Sequence, residues 1–292
     1  MGDPFGFLLV DKPSGPTSHD IIDLIRGAVG IRKVGHSGTL DPMATGLLVV
    51  GVGRATRLLR FLEAEDKEYE AVARLGILTD TLDAEGSVLS REPTSVSEQD
   101  LASALPRFVG EIMQVPPMVS ALKVGGRRLH RLARSGIEVD RRPRAVKVHR
   151  LDLCAVTPGP YPEVSLHVVC SKGTYIRTLA DDIASAVGTR AHLTALRRTR
   201  VGSLNVAAAI GVDEMGSGLK GALIDPAVAL GHLPSVTVDA DTAVGVRNGM
   251  VYAASALGGG VEGEFTVVDR SGLLLAVYHS DGACAKPEAV TG

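Results

Sequence analysis

The stretch "KVGHSGTLDPMATGLLVVGVG", residues 33–53, sets a glycine-rich polar loop directly in front of an apolar run. The run "GLLVVGVG" is short, rich in β-branched residues and bounded by glycine, which predicts a buried strand. The loop holds Gly35, Gly38 and Gly46 together with His36, Ser37, Thr39 and Asp41. Asp41 precedes Pro42, and a residue before proline is pushed out of the α region into extended backbone. A carboxylate presented so, on the rigid base of a buried strand, suits a nucleophile or a general base. For the dipeptide alone, a turn-forming Asp-Pro is the competing reading.

Two other chemistries fit the loop less well. "GHSGT" resembles the G-x-S-x-G nucleophile elbow, but position 39 is threonine and the run that follows is strand-like, where the elbow needs glycine and a helix. Ser37 therefore reads as a turn residue. "GVGRAT", residues 51–56, lacks the third glycine of a dinucleotide fingerprint, and no G-K-[ST] occurs anywhere in the chain. An ordinary glycosidase would also want a second carboxylate close by, and the motif contains none.

Working outward, "GFLLVDKPSGPTSHDIIDLIRGAVG" predicts a strand, a Pro/Gly turn and a helix. Thr17 and Asp20 are spaced as a capping box, Ile21, Ile25, Ala28 and Val29 form the apolar stripe, and Gly30 is the stop. "EYEAVARLGILTDTLDAEGSVLS" alternates around turn signals and predicts a strand pair. "SVSEQDLASALPRFVG" is a helix capped by Ser95 or Ser97. A short basic helix is expected before Gly136. "RAVKVHRLDLCAVTPG" and "EVSLHVVCSKGTYI" are strands, and "TLADDIASAVG" is a helix ended by Gly188. The last unit, from "SVTVDADTAVGVRNGMVYAA" to "GEFTVVDRSGLLLAVYH", reads as short strands. The expected organisation is α+β up to a boundary near Leu230, with a small β-rich unit after it.

The chain of 292 residues is 45% hydrophobic and has no apolar run long enough to span a membrane or act as a secretory signal. Cys154, Cys170 and Cys284 are odd in number and far apart, which fits neither a disulfide framework nor a cysteine metal site and suits a reducing cytoplasm. The net charge of −2 conceals segregation. Residues 123–150 hold ten basic against two acidic residues, and residues 172–200 hold six against two. Residues 62–100 carry eleven acids and three bases, and the chain beyond Arg200 ten acids and four bases. Two basic blocks in a slightly acidic protein point to a polyanionic partner.

Several of these segments, in order, resemble the bacterial tRNA pseudouridine synthase B (TruB) family. "KVGHSGTLDPMATGLL" is similar to its catalytic motif, "LLVDKPSGPTSHD" to its N-terminal motif, and "DKEYEAVARLGILTDTLDAEG" to its second motif. "QVPPMVSALKVGGRRLHRLARSGIEV" resembles its RNA-gripping thumb, and "CSKGTYIRTLADDIA" with "HLTALRRTRVG" its third motif. Together these cover most of residues 7–203. The resemblance implies a pseudouridine synthase catalytic domain over residues 1–230, built on a mixed, mainly antiparallel sheet flanked by helices, with a thumb at about 114–150. Residues 231–292 would form a small β-rich, PUA-like RNA-binding domain, although Ser235–His279 match it only loosely. Val119 and His130 depart from aromatic residues expected in the thumb.

The resemblance also implies site roles. Asp41 matches the essential aspartate, and Arg177 the arginine that pairs with it. Tyr69 matches the tyrosine that packs against the target base, Tyr175 a second aromatic contact, and Leu196 an apolar lining residue. His36 resembles the histidine that meets the disrupted T loop, and Lys12 a basic residue beside the active site. A strand carrying both Tyr175 and Arg177 would send them to one side. The implied reaction converts uridine to pseudouridine in the T loop of tRNA (position 55). The base must first be flipped out of the fold. All atoms remain in the substrate, so no cofactor and no metal is expected. Transfer RNA is the expected partner, with no membrane, no obligatory protein partner and a monomeric enzyme. The competing class is a non-catalytic RNA-binding or RNA-folding protein on the same scaffold, which would have no use for Asp41, Tyr69 and Arg177 together.

Overall fold

The computed structural model describes residues 5–118, 123–124, 127–128, 139–215, 219, 221–257 and 259–291. The basic helix expected before Gly136, and Val119 and His130, lie outside the described residues. In chain order the first elements are β1 (Gly6–Lys12), α1 (Ser18–Val29), β2 (Val34–His36), β3 (Thr45–Val52), α2 (Leu59–Glu63), β4 (Lys67–Leu75), β5 (Ile77–Thr79) and β6 (Val88–Arg91). They are followed by α3 (Glu98–Ala104), β7 (Gly110–Gln114), β8 (Lys123–Val124), β9 (Arg127–Arg128), β10 (Arg144–Thr157), β11 (Glu163–Cys170), α4 (Ile176–Ala186), β12 (Ala191–Val201), β13 (Leu204–Asn205) and β14 (Ile210–Gly211). The last part carries α5 (Pro226–Ala229), β15 (Ser235–Val238), α6 (Ala240–Arg247), β16 (Tyr252–Ala253), β17 (Gly263–Asp269), β18 (Leu274–Ser280) and β19 (Cys284–Val290).

Ten strands form one sheet in the order β14-β1-β3-β12-β4-β11-β10-β7, with β2 added to β3 and β13 to β12. Only β1–β14 and β3–β12 run parallel. The expected mixed, mainly antiparallel sheet flanked by helices is therefore what the chain forms. Its centre has two dry faces, which explains why β1 and β3 read as continuous apolar runs rather than alternating ones. Leu8, Val10, Leu48 and Val50 point to one side and pack with α1, α3 and α4, contributing to a core with Ile21, Ile25, Leu101, Leu179 and Ile183. Phe7, Leu9, Leu47 and Val49 point to the other and pack with Phe61 and Leu62 of α2. That second core continues into Val268, Leu274, Val277 and Ala289 of a five-stranded sheet, β15-β17-β18-β19-β16, built entirely from residues after 234.

The caps of α1 act as expected, and of its apolar stripe Ile21, Ile25 and Val29 are buried while Ala28 is exposed. Thr17 is the N-cap in a full capping box with Asp20, and Gly30 closes the helix in the left-handed region at φ 74°. Each isoleucine that α1 buries contributes about 2 kcal/mol. Of the two serines offered for α3, Ser97 is the cap, accepting from Asp100 N–H. The segment expected as a strand pair splits: β4 joins the centre of the main sheet, and β5–β6 form a separate hairpin.

Two expectations are corrected. Residues 174–176 do not continue β11. That strand ends at Cys170, the chain turns through Gly173 at φ 81°, and α4 starts at Ile176. Arg177 thus stands in the first turn of a helix rather than on a strand with Tyr175. Similarly, "ADTAVGVR" is helix α6 and not a strand. The alternation of its valines mimics period two, but the Asp239 side chain accepts from Thr242 N–H at 2.8 Å and starts a helix. Gly245 permits its close packing, since a Cβ there would lie 2.1 Å from the Tyr252 hydroxyl.

Beyond β12 the second face of the sheet carries polar pairs instead of a core. His167 on β11 bridges Glu68 at 3.0 Å and Asp152 at 3.1 Å, and Arg200 joins Glu68 at 2.7 Å. Hydrogen bonding to Glu68, opposed by partial burial, raises the His167 pKa above its ordinary 6.5. A histidine raised by its partners stabilises the fold fully below pH 6.5 and loses that contribution as pH climbs through the raised value. Replacing His167 with Gln should flatten the decline of the thermal midpoint across that window. A variant with the same pH dependence as wild type would rule out this bridge as its source.

Candidate active site

A cleft of about 310 Å³ opens where β4, β12, the Gly38–Asp41 loop and the start of α4 converge. Asp41, Tyr69, Tyr175, Arg177 and Leu196 all line it. Their positions span residues 41 to 196 in sequence, and the sheet order brings β4 and β12 side by side to join them. Thirty-four per cent of the Asp41 side chain stays exposed, so the carboxylate reaches the cleft.

The loop that carries Asp41 is fixed through its backbone. The Ser18 hydroxyl, on the first residue of α1, donates to Leu40 O at 3.0 Å and accepts from Leu40 N–H at 2.9 Å. The Pro42 carbonyl accepts from Lys12 Nζ at 3.1 Å and from Gly15 N–H at 2.9 Å. Gly38 and Gly46 take φ of 102° and 96°, and a Cβ on Gly46 would fall 2.2 Å from the Arg198 carbonyl. No side chain fits at Gly46, where β3 begins its parallel run beside β12.

Arg177 is the hinge of the electrostatics. Its side chain is 3% exposed, and Nε lies 3.0 Å from Asp41 Oδ2 while Nη1 lies 3.2 Å from Asp83 Oδ2 and donates to Thr81 O at 2.7 Å. Asp83 is itself buried, its other oxygen accepting from the Thr81 hydroxyl at 2.5 Å and from Glu85 N–H at 3.1 Å. Two carboxylates thus share one guanidinium, a geometry that suits its planar fork. Burial drives the Asp41 pKa above the ordinary 3.8; Arg177 pulls it down, Asp83 pushes it up, and Lys12 adds a smaller downward pull.

Tyr69 is held between β11 and β12, opposite Val168 and Arg198. Burial raises its phenol pKa, while a hydrogen bond and the charge of Arg198 work against that rise. Tyr175 occupies the N-cap position of α4, where Gln114 grips its peptide: Tyr175 N–H donates to Gln114 Oε1 at 3.0 Å, and Gln114 Nε2 donates to Tyr175 O at 3.3 Å. Leu196 is buried and supplies an apolar wall.

His36 and Lys12 do not line the cleft. The His36 ring meets His19 edge-on at 6.0 Å, and burial, His19 and Arg198 together bring its pKa down to about 4. It is a neutral imidazole near pH 7. Lys12 is fully buried under the loop, donating also to Pro13 O at 2.8 Å. Burial lowers its pKa to about 8 against the pull of Asp41. Ser37 is fully buried and off the cleft. Sequence reasoning missed Asp83, Gln114, Ser18 and Arg198, none of which stands in a pattern that distinguishes it from a turn or strand residue.

The second basic block does not form the expected charged surface. Arg190 pairs with Asp181 at 2.6 Å, Arg197 with Asp11 at 2.7 Å, Arg200 with Glu68, and Arg177 and Arg198 are buried. Lys172 stands exposed at the cleft rim. Among the described residues no group of three histidine, cysteine or acidic side chains is arranged to hold a metal ion, and no helix is long and apolar enough to cross a membrane.

The model for the N-terminal domain of TruB family pseudouridylate synthases matches residues 26–176, and that for the C-terminal domain of tRNA pseudouridylate synthase B matches residues 177–219. The tRNA pseudouridine synthase B of Symbiobacterium thermophilum is 49% identical over 249 residues, covering 85% of this chain and 83% of that protein. The protein of the same name from Cutibacterium acnes is 44% identical over 280 residues, covering 94% and 93%. Among solved structures, one of a Cbf5–Nop10–Gar1 complex superposes with a TM-score of 0.77 at 28% identity, over 98% of this chain and 85% of that one. The structure of an H/ACA RNP bound to a substrate RNA containing 2'-deoxyuridine gives 0.75 at 25% identity, over 99% and 86%. Sheet, cleft and sequence together define a pseudouridylate synthase. Within that class the chain belongs to the TruB family.

The Ser18 clamp makes a measurable claim. Ser18→Ala leaves a buried N–H and C=O of Leu40 without their partner, at a cost of about 2 kcal/mol. Urea unfolding should show that loss with an unchanged m-value, and an unaltered midpoint would remove Ser18 from the support of the loop.

Proposed function

We propose that this protein isomerises uridine to pseudouridine in tRNA, at the T-loop uridine (position 55), with Asp41 as the essential carboxylate. The observation that carries the reading is Asp41 held on buried Arg177 at a cleft walled by Tyr69, Tyr175 and Leu196. Its relatives, 42–49% identical, are named tRNA pseudouridine synthase B. A uridine inside a folded tRNA has to be extruded before it can react. Tyr69 offers the face on which the flipped base stacks, a contact worth roughly 1–3 kcal/mol. Tyr175 and Leu196 close the sides.

The chemistry then needs three events. The N-glycosidic bond breaks with its electron pair going to uracil N1, the uracil turns within the cleft, and C5 bonds to ribose C1′ as the C5 proton leaves and N1 takes up a proton, so that every atom is kept. Asp41 serves by attacking C1′, by adding to the base or by removing a ribose proton, and each requires its ionised form. Arg177 keeps it ionised against the cost of burial. His36, neutral and half-buried beside His19, meets RNA only through hydrogen bonding or packing.

Residues 1–230 are taken as the catalytic domain and 231–292 as a PUA-like RNA-binding domain, a division supported by the separate sheet after residue 234. Lys172 and the exposed Arg144, Lys147 and Arg150 of β10 offer phosphate contacts. We take the enzyme to act as a monomer on tRNA in the cytoplasm, with no obligatory protein partner and no cofactor.

Incubation with an unmodified tRNA transcript, followed by chemical mapping of pseudouridine, tests the reading. Product is expected at the T-loop uridine with no added cofactor, and its absence with folded protein overturns it. Asp41→Asn should abolish turnover and leave tRNA binding within about threefold, because only the reacting carboxylate changes. The pH profile gives a second check. The acid limb of kcat should lie above 3.8, since burial raises Asp41. Asp83→Asn removes a neighbouring negative charge, so the limb should move to lower pH; a shift upward would contradict the assigned coupling.

A further inference from the structure

Arg198 is 1% exposed and lines the same cleft, yet among the described residues it has no carboxylate within 4.0 Å. Its guanidinium is spent on other acceptors. Nε donates to Leu47 O at 2.7 Å and Nη2 donates to Gly38 O at 3.1 Å, while on the sheet Arg198 stands opposite Tyr69, whose phenol feels the guanidinium charge. Leu47 belongs to β3, Gly38 to the loop that presents Asp41, and Tyr69 to β4. One side chain therefore ties together the stacking wall, the catalytic loop and the strand that anchors it. A buried cation with no anionic partner is costly, so a purely structural tie would be made more cheaply by an amide or a hydroxyl.

We propose that Arg198 is a positioning residue that holds Tyr69 and the Asp41 loop as one unit, so that the flipped base and the carboxylate meet in register. The inference rests on the pseudouridine reading given above. The tie is specific to a guanidinium. Two carbonyls on separate elements, with Tyr69 in register beside them, match its planar fork, whereas a lysine ammonium is a compact point charge on a flexible stem. Gly38, whose carbonyl accepts from Arg198, takes φ 102°, a backbone conformation that residues with a side chain rarely adopt. Arg198 acts through Tyr69 and the loop, so its loss should appear in turnover rather than in RNA affinity.

The test compares wild type, Arg198→Lys, Arg198→Met and Arg198→Ala on a full-length tRNA transcript, with folding checked by circular dichroism and tRNA Kd measured separately. Misplacement of reacting groups by about 1 Å costs on the order of 100-fold. Both Arg198→Lys and Arg198→Met should lose kcat to about that extent while KM and Kd change less than about threefold. Millimolar guanidinium should restore about tenfold of the lost kcat in Arg198→Ala, by filling the space beside the cleft, and should leave Arg198→Lys unchanged. Should Arg198→Met fail to fold, Arg198→Lys decides. A folded lysine variant with kcat within about threefold of wild type overturns the proposal, as does a loss carried by KM or a folded Arg198→Ala without rescue. An inactive wild type in the same assay would instead overturn the pseudouridine reading itself.

Discussion

Everything at the cleft hangs on one buried arginine shared between two carboxylates. Arg177 leaves the first turn of α4 and spans Asp41 of the glycine loop and Asp83 of the turn after β5. Burying a cation is expensive, and two anions with a backbone carbonyl offset that cost. The arrangement also sets a tension. Burial, with Asp83 competing for the same guanidinium, leaves the Asp41 pKa above its ordinary value although an arginine touches it. A carboxylate placed so gives up charge stabilisation more readily than one in an isolated ion pair. This favours a group that has to change its bonding during a reaction.

The rest of the architecture serves to hold these elements still. Backbone groups of the Asp41 loop are fixed by Ser18, Lys12 and Gly15, from the first helix, the end of β1 and the turn between them. Gln114 does the same for Tyr175 from the edge strand β7. The side chains that line the cleft are left to point into it, while buried side chains at the next layer hold peptides. Rigid elements with locked partners are what a site needs to keep reacting groups in place. The arginines of residues 177–200 belong to that scaffolding, four of them paired with acids.

Much of this was legible in the chain. The capping box at Thr17, the glycine stop at Gly30 and the run Leu47–Val50 are local signals, and local signals survive into the fold. Asp41 was legible because proline restricts the residue before it whatever the tertiary context. The misreadings share one cause. Tyr175–Arg177 looked extended because the strand before it is regular, but the turn at Gly173 and the distant Gln114 decide where α4 starts. The valines of α6 keep period two, yet a cap three residues upstream of Thr242 overrides them. Asp83 and Arg198 were invisible for the same reason: a charge in a turn or a strand carries no mark of the burial that makes it matter. The segregation of charge was real, but linear proximity of arginines says nothing about which ones reach solvent.

The parallel seam between β3 and β12 joins residues near 45 to residues near 198, and Gly38 meets Arg198 across 160 positions of chain. Contacts of such sequence separation carry a high loop-closure cost and form late. During synthesis the strand that carries Leu196 emerges long after the loop that carries Asp41. A chain that still lacks β12 therefore holds the carboxylate without Leu196, Arg198 or a closed cleft. The cleft is complete only once the middle of the sheet has closed.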